Sequence, residues 1–242
     1  AYKIITFADF GQKTLEEADF VSTMIPEGVD TEIFKPMDKV EARKKLGLPQ
    51  DLFFFGMVAA NKENPPRKGF QEVLEAFKLF CDKHPKAAIF FHSQQQDPRG
   101  FPIKQCAQYL GIAKRCYFLE DYLAQFGADS KQVALEMNAM DVYLQPSRTE
   151  GFGLTSVEAQ SCGIPVIVNN AQSQTELVVE GKTGEICKTD PHKKHFTNDL
   201  SYTEPADIQS LYECMEKLYD KLQKPNTFKK DCRDHVIKNY NI

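Results

Sequence analysis

Residues 146–170 read PSRTEGFGLTSVEAQSCGIPVIVNN. Just ahead of them VYLQ at 142–145 is a short apolar run that ends in the polar turn PS, the pattern of a buried strand. Gly151 and Gly153 bracket Phe152 where a helical pattern begins, and a second strand pattern follows at 164–168. A glycine turn at a helix start leaves backbone N–H groups free and suits an anion, a phosphate above all. Winding the helix from Leu154 places Leu154, Val157, Glu158 and Ser161 on one face. Leu154 and Val157 are expected to face the core, so Glu158 is a carboxylate in need of a partner. A vicinal diol such as a ribose supplies one. Glu150, before the turn, projects over whatever the turn holds. The spacing outlines a ligand with phosphates at the turn, a ribose near Glu158 and a second hydroxylated group near Glu150. On spacing alone a plainer reading is as good: Glu158 complements the helix dipole and Glu150 is a solvated loop residue.

Outward from this stretch, apolar and β-branched runs alternate with helical patterns. The strand candidates are 3–7, 21–25, 52–60, 87–93, 116–120, 142–145 and 164–168. Helical stretches lie at 11–19, 39–46, 69–82, 102–110, 130–140 and 154–162, with two more at 206–223 and 227–240. In the 69–82 segment Phe70, Val73, Leu74, Phe77 and Phe80 recur at helical spacing between Gly69 and Pro85. This alternation predicts a Rossmann-like α/β fold, a parallel sheet with helices on both faces. Such sheets bind ligands at the carboxyl ends of their strands. The loops at 61–69, 93–101, 121–129, 146–154 and 169–174 are therefore the expected site. The polar segment 188–205 reads as a surface loop, and His192 and His195 in it as solvated residues, since two histidines without a third ligand make a weak metal signal.

The bulk numbers narrow the function. A chain of 242 residues with 42% hydrophobic content suits one large domain, or one domain and a fragment of another. A formal charge of -4 argues against a nucleic-acid partner. No apolar run approaches the roughly 18 residues of a membrane-spanning helix. Seven cysteines without a C-x-x-C pair read as buried thiols in a reducing compartment, which points to the cytoplasm.

The 146–170 stretch resembles the signature of the group 1 retaining glycosyltransferases of GT-B fold, PS-x-x-E-G-F-G-L-x-x-x-E-A-x-A-x-G-x-P-V-I, with its two glutamates eight positions apart and Ser161 where a small residue is usual. Other pieces follow in family order. IPEGVDTEIFKP at 25–36 resembles the hinge sequence, PRKGF at 66–70 the phosphate-binding R-K-G, and TELVVEGKTGEI at 175–186 the E-x-V-x-x-G-x-x-G. The resemblance covers roughly residues 20–190. It implies that Glu150 contacts donor-sugar hydroxyls and Glu158 the nucleoside ribose. It implies that the amides of Gly151, Phe152, Gly153 and Leu154, with the Thr155 hydroxyl, hold the diphosphate. Lys68, with Arg67, would neutralise the leaving group; charge builds on the diphosphate as the glycosyl bond breaks, and a placed cation with a helix N-terminus stabilises it. The family often carries an Arg after the strand that precedes R-K-G. Here the chain reads FGMVAANKENPPRKG, so Lys62 or Asn61 is the candidate replacement.

Further candidates end neighbouring strands. His92 either touches donor or is a satisfied core histidine, Asn169, Asn170, Gln172 and Ser173 line a sugar pocket, and residues 118–124 hold the base. The implied protein is a hexosyltransferase using a nucleotide-diphosphate sugar and no metal; no D-x-D occurs in the chain. Residues 1–24 would be a remnant of an N-terminal acceptor domain with its hinge, and 25–242 the donor domain. A fragment of that kind would bind donor without transferring it. The rival readings are a non-catalytic nucleotide-sugar-binding module and a GT-B epimerase or phosphorylase.

Overall fold

The computed structural model describes residues 3–95, 97–120, 123, 126–196 and 202–242. Two short strands, β1 (Ile4–Thr6) and β2 (Ser22–Met24), pair in parallel around helix α1 (Asp9–Glu17) and stand apart from the main sheet. The main sheet has six strands: β3 (Phe53–Val58), β4 (Ala87–His92), β5 (Cys116–Phe118), β6 (Val142–Gln145), β7 (Val166–Asn169) and β8 (Gly184–Cys187). Their order is β5-β4-β3-β6-β7-β8, and every neighbouring pair is parallel. The chain thus runs outward from β3 to one edge and returns to fill the other side from β6. The strand order reverses between β3 and β6, which is where a doubly wound sheet opens a crevice at its carboxyl end.

Successive strand residues point to opposite faces, so both faces must be covered. Phe55, Met57 and Phe91 enter one core layer with α3 (Phe70–Lys83), α4 (Ile103–Tyr109) and α7 (Ile208–Leu222). Phe54, Phe90 and Tyr143 enter the other, with α2 (Lys39–Lys45), α5 (Ser130–Ala139), α6 (Leu154–Ser161) and α8 (Phe228–Asn239). On the first face Phe55 meets Phe77 and Phe80 edge-on at 6.1 and 5.0 Å, the arrangement that aromatic quadrupoles favour.

The predicted elements recur within a few residues, and the differences have physical causes. Helix α1 begins two residues earlier than its sequence pattern because Glu176, far along the chain, accepts the N–H groups of Asp9 and Phe10 at 2.9 and 2.8 Å. The sixth strand, β8, was not predicted. It is only four residues long and has Glu185 in its middle, fully buried and paired with Lys217 and, at 2.8 Å, Lys221 of α7. A charge inside a strand conceals it from any reading by hydrophobic pattern. The predicted loop 188–205 contains a two-residue antiparallel pair, His195–Phe196 with Tyr202–Thr203; part of that segment, 197–201, lies outside the described residues. Leu154, expected in the core, is 36% exposed, while Ser156, Gln160 and Ser161 on the same helix are fully buried. The inner face of α6 therefore mixes the apolar Val157 and Ala159 with buried polar side chains. Gln160 and Ser161 reach the carbonyls of Leu177 and Phe34, and Arg233 of α8 binds Ser161 and the carbonyls of Thr31 and Phe34. The hinge-like 25–36 segment is clamped by this route to the last helix.

Candidate functional site

The loop after β3 and the loop after β6 meet at the switch point. The Arg148 N–H donates to the Arg67 carbonyl at 2.8 Å, which ties the two loops backbone to backbone. Behind that bond the Arg148 guanidinium bonds the Glu72 carboxylate of α3 at 2.8 Å, and both side chains are buried. Gly69, the glycine of R-K-G, caps α3 with φ at +78°, and a Cβ there would stand 2.4 Å from the Pro146 carbonyl oxygen. Only glycine allows the two loops this approach.

The cations then fall into place. Lys68 Nζ lies 2.5 Å from Glu150 Oε1, and Arg67 Nη1 lies 3.5 Å from Glu150 Oε2 and 2.8 Å from the Thr149 carbonyl. Glu150 is held on both sides of its backbone: its N–H donates to Gln172 Oε1 at 3.0 Å, and its carbonyl accepts from the Ser173 hydroxyl at 2.9 Å. Gln172 adopts a left-handed φ of +52° in making this contact. Gln172 and Ser173, expected to line a sugar pocket, position the Glu150 backbone through these contacts. Asn169 is buried, bonded to the Ser147 and Glu204 carbonyls, while Asn170 is exposed.

Helix α6 starts at Gly153, which is left-handed (φ +111°) with no side-chain cap, and a Cβ there would meet Leu177 and Gln145 at about 3 Å. Its first-turn amides, those of Leu154 and Thr155 among them, are the donors that a helix N-terminus leaves without an intrahelical partner. Phe152 is buried, edge-on to Tyr240 at 5.7 Å, so its side chain anchors the turn and only its backbone faces the site. A Cβ on Gly151 would meet nothing within 4 Å. No packing in the fold requires a glycine there; close approach of a ligand would. The Thr155 and Ser156 hydroxyls both donate to Gln145 Oε1, at 2.8 and 2.7 Å.

Between the loops lies a cleft of about 600 Å³ whose walls include Lys62, Arg67, Lys68, His92, Phe126 and Thr155. The sheet thus brings together side chains from the β3–α3 loop, the end of β4, the segment after β5 and the first turn of α6. His92 Nδ1 sits 2.6 Å from Glu136 Oε2, and that fully buried carboxylate also accepts from Gln132 at 2.7 Å. An ionised carboxylate only accepts, so Nδ1 carries the proton of this contact. His92 is therefore both a satisfied histidine and a wall of the cleft. Asn61 is not a candidate donor: it is buried, with its amide on the Gln94 and Phe101 carbonyls and its oxygen on the Phe101 N–H. Lys62 is the exposed cation of that loop. The expected base-holding region, 118–124, lies partly outside the described residues.

Glu158 occupies a different setting. Burial, and then the nearby carboxylate of Glu27, push its carboxyl from an ordinary 4.5 up to about 7. Tyr143 feels both glutamates; burial chiefly, with Glu158 and Glu150 contributing, drives its phenol well above the usual range.

Sequence reasoning missed Arg148, Glu72, Glu136 and Gln145. Glu136 had a usable signal, an ionisable residue inside an apolar helical stretch; Gln145 had none.

Comparison with known proteins gives a consistent result. A sequence profile described as "Glycosyl transferases group 1" matches residues 38–203. The chain is 31% identical over 175 residues to D-inositol 3-phosphate glycosyltransferase of Stackebrandtia nassauensis, across 69% of this chain and 37% of that protein. It superposes on sucrose-phosphate synthase of Thermosynechococcus elongatus with a TM-score of 0.78 at 21% identity, over 98% of this chain and 54% of the other. It superposes on Anabaena HepE in complex with UDP and glucose with a TM-score of 0.77 at 22% identity, over 100% and 60%. The chain therefore spans less than two thirds of each of these relatives.

Proposed function

Because the chain belongs to the group 1 glycosyl transferases, we propose that it is the donor-binding part of a retaining glycosyltransferase that uses a nucleotide-diphosphate sugar. One observation carries the reading: two cations, a carboxylate and an uncapped helix N-terminus from separate loops converge on the crevice where the strand order reverses. The diphosphate lies across the α6 N-terminus, with Lys68 and Arg67 opposite. As the glycosyl–phosphate bond breaks, negative charge grows on the leaving diphosphate, and these fixed positive ends stabilise it without a metal ion. Glu150 accepts sugar hydroxyls and Glu158 accepts the ribose diol. The anomeric configuration is retained when the departing phosphate takes the acceptor's proton on the face it leaves. That HepE holds UDP and glucose makes uridine nucleotides the first to test.

Residues 1–24 belong, in this reading, to an acceptor-side domain and 25–242 to the donor side. The separate β1–β2 pair supports the division, as do its exposed apolar side chains Ile5, Phe7, Phe20 and Val21. The donor side binds, and transfer requires a second wall that excludes water and orients the acceptor.

A thermal-shift panel of UDP-, GDP- and ADP-sugars tests the proposal, because a ligand that binds only the native state raises the melting temperature. One nucleotide sugar is expected to stabilise the chain, with the shift reduced by Glu158→Ala and insensitive to EDTA. No shift with any sugar nucleotide at millimolar concentration would end it.

A further inference from the structure

The donor reading gives Glu150 to sugar hydroxyls, yet its carboxylate is already engaged by both cations that the reading gives to the diphosphate. Lys68 and Glu150 are respectively 20% and 10% exposed, so their 2.5 Å contact is little weakened by water. The contact with Arg67 is longer, 3.5 Å, and Arg67 also pairs with the half-exposed Glu63 at 3.2 Å. Gln172 and Ser173 also pin the Glu150 backbone from either side, which keeps its loop beside the two cations.

We propose that Glu150 competes with the diphosphate for Lys68 and Arg67, and thereby sets a preference for a sugar-bearing diphosphate over the free nucleoside diphosphate; this rests on the donor reading above. A diphosphate seated on the two cations lies beside the Glu150 carboxylate and is repelled by it. A free nucleoside diphosphate bears one more negative charge near neutral pH than its glycosyl ester, because its terminal phosphate is unesterified. The repulsion therefore weighs more on the product than on the donor. The donor alone brings hydroxyl hydrogens that Glu150 accepts, which offset the lost ion pair. The same carboxylate that holds the sugar then helps expel the spent nucleotide.

Calorimetry with inorganic pyrophosphate, UDP and UDP-glucose tests this on the wild-type chain and on Glu150→Gln, with melting curves confirming that the variant folds. Glu150→Gln is expected to bind pyrophosphate and UDP about tenfold tighter, and UDP-glucose no tighter, so that the preference collapses. Glu150→Ala run in parallel should show the same gain, and in a Lys68→Ala background the gain should shrink to twofold or less. Unchanged or weaker pyrophosphate binding in both Glu150 variants overturns the competition, and leaves the donor reading standing if nucleotide sugars still bind the wild type. Tighter pyrophosphate binding with no response of any form to any sugar nucleotide upholds the competition and removes the donor reading.

Discussion

Glu150 and Glu158 stand eight residues apart in one sequence stretch and live in opposite electrostatic settings. Glu150 sits in a loop against two cations, with its backbone held by Gln172 and Ser173. Glu158 sits on a helix with no cation beside it among the influences on its titration; burial and the Glu27 carboxylate raise it to about 7. A neutralised carboxylate is ready to exchange one partner for another. One held near its titration point gains most from a ligand that brings hydroxyl hydrogens. Residue type and spacing are shared; the surroundings assign the roles.

The comparison breaks most severely at the support of the Glu150 loop. Arg148→Met leaves Glu72 buried and unpaired, and should cost about 3–5 kcal/mol of stability in denaturant titrations. Arg148→Met with Glu72→Leu should recover most of that loss. A smaller cost for the single variant would mean that the pair is not what fastens the loop to α3. Next comes Lys68→Ala. Turnover by the intact enzyme should fall about 10²–10³-fold in kcat, with a smaller change in donor KM, since leaving-group charge peaks at the transition state. Raised KM with normal kcat would place Lys68 in ground-state binding.

Glu158 is tested twice. Glu158→Ala should weaken nucleotide and nucleotide sugar alike by about 1.5–3 kcal/mol in calorimetry, the scale of a hydrogen bond to a charged group. In the free chain, the folded carboxyl titrates near 7 against 4.5 when unfolded. Below 4.5 it is protonated in both states and contributes nothing; as pH rises through 7 the buried charge destabilises the fold in full. Glu158→Gln should therefore match the wild type at pH 4.5 and exceed it above pH 7, by on the order of 2 kcal/mol after allowing for partial solvent contact. A gain that does not vary with pH would assign the effect to packing. The smallest effect belongs to Lys62. Being exposed, its removal should weaken pyrophosphate binding by less than about 1 kcal/mol and reduce its salt dependence. A loss as large as that for Lys68 would show that Lys62 fully replaces the arginine common in the family.

The fold was legible because it is written in local periodicities. The aromatic stripe of α3 and the paired apolar runs of β3 and β4 can be read residue by residue. The strand β8 was hidden by Glu185, whose lysine partners lie on a helix more than thirty residues further on. The candidate site residues could be named from the 146–170 stretch and from R-K-G, but not the contacts that support them. Gln172 reads in the sequence as a pocket residue, and its support of the Glu150 loop emerges only when its oxygen is seen taking the Glu150 N–H and the Thr149 hydroxyl. Asn61 looks like a ligand donor until Gln94 and Phe101 claim both ends of its amide.

By itself the sequence determined the α/β class, the glycine turn at a helix start and the cations and carboxylates available to the crevice. These follow from side-chain periodicity and from turns that only glycine accommodates, both of them local properties. Tertiary structure alone decided which charges meet. The pairing of Glu150 with Lys68, the seclusion of Glu158 beside Glu27 and the burial of Arg148 against Glu72 join residues distant in the chain. Coulomb energies and desolvation depend on distance through space and on surrounding water, and neither is encoded in any one segment.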